Sequence, residues 1–188
     1  MYKPSKRDQA KVVLAHFLNE EGDKVNGSQP DLIEKKHIIT AKLSGTTIEF
    51  VDVNGKTLTG VQSFTANMLD ANKPFVLSKM KAEYATSVTN ALDIERSDYS
   101  ATAPAILMNG EFKLSQGDRG TIVDMLMDSL INNSVTPNND DQFHVLEKME
   151  VLKAQSKIEA VIKLPVALPA GVDHYVKITM GGYAPRSK

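Results

Sequence analysis

Apolar residues near the start of the chain recur at Ala10, Val13, Leu14, Phe17 and Leu18, the spacing that brings side chains onto one face of a helix. Ser5, with Asp8 three residues later, supplies a capping pair, so the pattern predicts an amphipathic helix over 6–21. After the polar, Gly-containing connector 22–30 the period becomes alternating or continuous, which marks the start of strands. Runs rich in Ile, Thr, Val and Phe predict strands over 37–43 and 46–53. Asn54-Gly55 ahead of 56–61 predicts a hairpin, because a type I′ turn needs positive φ at both central residues.

The run 75–86 reads as a strand with Val76, Met80, Ala82 and Tyr84 on one face and Lys79, Lys81 and Glu83 on the other. An apolar run, Asn109-Gly110 and a second alternating run predict another hairpin over 105–114, with Gly110 at positive φ. Thr121 and Asp124, followed by Leu126 and Leu130 at helical spacing, predict a short helix over 122–132. The Asn- and Asp-rich stretch 132–141 predicts a loop. Strands follow over 142–152, 157–164 and 172–180. Ile158, Ala160, Ile162 and Leu164 share the buried face of the second, and Val172, Val176, Ile178 and Met180 that of the third.

The elements sum to about eight strands and two helices without regular strand–helix alternation. The fold class is therefore mainly β: an antiparallel β-sandwich with an N-terminal helix and one short internal helix. With 188 residues the chain suits one sandwich domain over 31–188, preceded by the helix and connector over 1–30.

Charge and composition narrow the chemistry. Lys and Arg number 22 against 23 Asp and Glu, a net charge of −1, which argues against a chain devoted to neutralising nucleic-acid phosphates. Lys3, Lys6, Arg7 and Lys11 still form a local basic cluster, the candidate nucleic-acid contact. Cysteine is absent, which excludes disulfides, thiolate metal sites and cysteine nucleophiles. His16, His37, His144 and His174 lack metal-pair spacing, and Asn138-Asn139-Asp140-Asp141 lacks the spaced acids, Gly and Glu of a calcium loop. Gly55-Lys56-Thr57 has Phe50 where a phosphate-binding loop needs its leading Gly. No catalytic, metal or cofactor-binding residue is expected, and none of the chain reads as a membrane span. The opening residues carry no apolar signal segment, so synthesis in a cytosol-like compartment is expected.

The features from Pro74 to Tyr183 form a recognisable series. They are Phe75-Val76-Leu77, the 105–114 unit before a short helix, Phe143 to Leu146, Lys157 to Pro165, and His174 to Gly182. In this order they resemble the jelly-roll coat proteins of tailless icosahedral bacteriophages. The resemblance covers about 110 residues. It implies a single jelly roll whose partners are copies of itself and other virion proteins, with no catalytic residues. The N-terminal helix is not a required part of that pattern, and two-jelly-roll coat chains are considerably longer.

The expected function is thus a capsid subunit that assembles into an icosahedral phage shell, made in the host cytoplasm and located in the virion. Weak contact with packaged nucleic acid is included. Two alternatives stand beside it: a nucleic-acid-binding β module using the basic N-terminal face and the lysine side of the sheet, and a β-barrel enzyme of unknown chemistry. Candidate intersubunit contacts are Val13, Leu14, Phe17 and Leu18 of the helix, together with Tyr183. The length of connector 22–30 favours docking of the helix on a neighbouring subunit.

Overall fold

Ser5 caps the first helix: its hydroxyl accepts the Asp8 backbone N–H at 3.2 Å. The helix, α1, spans Lys6–Glu20 and buries Ala10, Leu14 and Phe17. Acidic residues oppose the dipole at its C-terminal end, and Lys153 Nζ pairs with Glu21 there. The computed structural model describes residues 4–21, 31–50, 61–71, 73–87, 94, 97–131 and 142–186. The expected hairpin at Asn54-Gly55 and the expected loop 132–141 lie outside these residues.

The described elements continue as β1 (Leu32–Lys42), β2 (Thr47–Glu49), β3 (Phe75–Ser87), α2 (Ala105–Met108), β4 (Glu111–Gln116), β5 (Gly120–Leu126), α3 (Met127–Leu130), β6 (His144–Leu152), β7 (Ile158–Lys163) and β8 (Asp173–Pro185). They form two four-stranded sheets, ordered β1-β8-β3-β6 and β2-β7-β4-β5. Every neighbouring pair is antiparallel.

The fold is a mainly β sandwich. Its core joins Ile39, Met80, Ala82, Tyr84, Val176, Ile178 and Met180 of one sheet to Ile48, Phe112, Leu114, Val123, Ile158, Ala160 and Ile162 of the other. A second cluster lies on the opposite face of the first sheet, where Ala10, Leu14 and Phe17 of α1 pack on Leu32, Val76 and Val151. The helix therefore docks on its own sandwich. The expectation of a neighbouring subunit is corrected: alternation sends Leu32, Val76 and Val151 outward, and an apolar patch on the same chain is the nearest cover for the helix face.

Four local expectations change. In β3 the register shifts between Leu77 and Lys79, so Val76 faces α1 whereas Met80, Ala82 and Tyr84 face the core. One extra residue reverses the alternation, as a bulge does. The run 105–108 is a single helical turn, not a strand. Asn109 stands at φ −80°, and Gly110 does not adopt positive φ. At Gly110 a β-carbon would instead crowd Leu164 Cδ2 at 2.9 Å and the Leu107 carbonyl oxygen at 3.0 Å. The region expected as helix 122–132 is β5 followed by the single turn α3. Three successive β-branched residues, Thr121, Ile122 and Val123, favour the strand. Val172 precedes β8 and is exposed, unlike Val176, Ile178 and Met180.

Candidate functional site

The outer face of the sheet β1-β8-β3-β6 is divided. One half is covered by α1, with the Arg119 guanidinium 4.9 Å from the Phe17 ring centroid and donating to the Val151 carbonyl oxygen. Asp31 ties both ends of the chain to this half: it pairs with Arg7 of α1 and, at 3.4 Å, with Arg186 beyond β8.

The other half carries lysines. Lys36 of β1 and Lys79 of β3 both lie opposite Gly181 of β8, on either side of it. With Lys81 they gather around the ring of Phe143, their ammonium groups 5.3, 5.0 and 5.4 Å from its centroid. Glu34 meets Lys79 at 3.1 Å, and Glu83 meets Lys81 at 2.8 Å and Lys177 at 3.3 Å. Lys177 also stands 4.3 Å from the Tyr99 ring, whose hydroxyl burial pushes up to about 12. Sequence spacing exposed Lys79 and Lys81 as one solvated face but gave no sign of Phe143, because positions 36, 79, 81 and 143 meet only through strand pairing.

The described members of the N-terminal basic cluster have different surroundings. Lys3 lies outside the described residues, Arg7 is engaged by Asp31, Lys11 is half-buried, and exposed Lys6 opens onto a cleft. That cleft, about 440 Å³, lies between α1 and the sheet and is also lined by Val13, Glu34, Val145 and Tyr183. Burial raises the Tyr183 hydroxyl above its ordinary pKa. A second cleft of about 400 Å³ runs along the helix past Val12, His16 and Arg119. Among the candidate intersubunit residues, Leu14 and Phe17 are consumed inside the chain, while Val13, Leu18 and Tyr183 are half-buried at the margin of the helix contact.

Two histidines are structural in their contacts. The Pro169 carbonyl oxygen lies 3.0 Å from His174 Nε2 and can only accept, which places the proton there. Nδ1 then accepts from the Tyr84 hydroxyl at 2.6 Å. His37 sits in the core wall between two rings, stacked on Phe64 at 5.2 Å and edge-on to Phe75 at 4.7 Å. Burial depresses its pKa to about 4, with the nearby Lys35 charge acting the same way and Asp70 opposing both.

Among the described residues no group of three His, Asp or Glu is placed to hold a metal, and no helix is long and apolar enough to cross a membrane. Neither a protein-family model nor a curated protein matches the chain.

Proposed function

We propose that this chain is a structural virion protein, a capsid subunit that assembles with copies of itself into an icosahedral phage shell. The observation that carries the reading is the strand pairing. β1 pairs with β8, β2 with β7, β3 with β6 and β4 with β5, while β8/β3 and β7/β4 complete the sheets. This is the order adopted by one long eight-stranded hairpin when it is rolled up, and it supports a jelly roll, an architecture used by viral capsid domains. Lipocalin-type barrels hold a small ligand in an internal cavity. Here Phe112, Leu114, Ile158, Ile162, Ile178 and Met180 fill the space between the sheets, which leaves faces, edges and ends as working surfaces.

The shell reading places the protein in the virion after synthesis in the host cytoplasm. Its partners are other copies, further virion proteins and, weakly, packaged nucleic acid. Light scattering and electron microscopy of the concentrated full chain, across salt and pH, test it: particles or regular oligomers are expected, and monomers under every condition overturn it.

A second reading, a nucleic-acid-binding β module, is favoured by the convergence of Lys36, Lys79 and Lys81 on Phe143. Glu34 and Glu83 within the same patch reduce its charge. Binding that weakens steeply with salt and is lost on Lys36→Glu would establish this reading.

A further inference from the structure

The segment 61–71 closes the free edge of β1. Ser63 N–H donates to the Ile38 carbonyl oxygen at 2.8 Å, Ile38 N–H returns a bond to Ser63 Oγ at 2.8 Å, and Gln62 bridges to Ile39. Its anchor is Phe64, fully buried and stacked flat on His37. His37 is 4% exposed, and its Nδ1 has no hydrogen-bond partner among the described residues. A buried polar atom left without a partner destabilises the closed state, and a proton on that ring adds a charge that burial keeps from water.

We propose that His37 is an acid-sensitive latch: its protonation releases segment 61–71 from β1, uncovering Phe64 and the β1 edge while the sandwich stays folded. The groups around it set the direction. Met180, opposite His37 on β8, and Met80, next in that row on β3, bring no charge, and His144 stands beyond them on β6. Lys35 on the same strand opposes protonation. Asp70 of the covering segment favours it but is engaged by Lys73 at 3.2 Å.

In the closed state His37 stays neutral down to about pH 4, whereas a released, hydrated histidine binds its proton near pH 6.5, so acid draws the equilibrium toward release. The opening constant should rise about 20-fold between pH 7 and pH 5. The inference does not depend on what the chain assembles into.

Hydrogen exchange of the full chain, corrected for intrinsic rates, tests it at these two pH values. The expected result is a selective loss of protection at the Ser63 and Met68 amides and at Ile158, whose N–H donates to the Asn67 carbonyl oxygen at 2.8 Å, with β4 and the rest of β7 unchanged and the effect abolished in His37→Leu. Equal loss across all strands, no loss at 61–71, or the same loss in His37→Leu would overturn the latch. Should His37→Leu not fold, an NMR titration of His37 in the unaltered protein decides: a pKa well below 6 supports the latch, and one at or above 6 overturns it.

Discussion

Gly182 of β8 lies so close against the Val76 carbonyl of β3 that a β-carbon at position 182 would overlap the oxygen. The contact falls beside the β3 register shift, where Val76 has turned outward to meet α1. Gly182→Ala must push two adjacent central strands apart and should cost about 3 kcal/mol. At Gly181 the atoms nearest an added β-carbon are the flexible stem of Lys79, 2.8 Å away at Cγ, so Gly181→Ala should cost far less. Urea midpoints of the two variants check the contrast.

Leu14 is fully buried between α1 and the sheet. Leu14→Ala should destabilise the isolated chain by about 3 kcal/mol, whereas Val12→Ala, at a position 63% exposed, should change little. Removing residues 1–22 should lower the melting temperature at low protein concentration and increase binding of a hydrophobic dye, because Leu32, Val76 and Val151 lose their cover. A truncated chain that melts like the intact one would show that the sandwich does not depend on α1 for its stability.

Gln116 is fully buried at the end of β4 and holds the turn after β6. Its Nε2 donates to the carbonyl oxygens of Lys153 at 2.8 Å and Ser156 at 3.3 Å, and its Oε1 accepts the Lys153 N–H at 2.8 Å. Gln116→Ala removes these three bonds from a buried site and should cost about 2–4 kcal/mol. Calorimetry should register the loss, and Gln116→Glu at neutral pH should also fail to restore stability, because a carboxylate cannot donate to two carbonyls.

Gly120 begins β5 at φ 71°, ψ −149°, backbone that residues with a β-carbon rarely adopt. Among the described residues beyond its chain neighbours, no atom lies within 4 Å of a β-carbon placed there, so Gly120→Ala should cost mainly backbone strain, about 1–3 kcal/mol. Chemical denaturation of this variant measures the strain of the β4–β5 turn directly.

Local rules made much of the framework legible. The Ser5 cap, the Ala10–Leu14–Phe17 face and the alternating Ile158, Ala160 and Ile162 each depend on residues a few positions apart, and all appear as expected. Where the rules failed, a competing local preference or an insertion had won. Asn109-Gly110 suggested a turn between strands, but the preceding four residues close a helical turn, and Gly110 is needed for close packing on Leu164. Lys36 of β1, the Lys79–Lys81 pair of β3 and Phe143 ahead of β6 had no common signal because they lie far apart along the chain.

By itself the sequence determined the period of most segments, and hence a mainly β chain with an amphipathic helix at its start, since side-chain alternation and helix capping are short-range effects. Which strands became neighbours, the face to which Val76 turned, the surface that received α1 and the ring that covered His37 were decided only by tertiary structure. Those outcomes depend on a single residue's shift in register and on contacts between positions tens of residues apart, for which the linear pattern carries no distance.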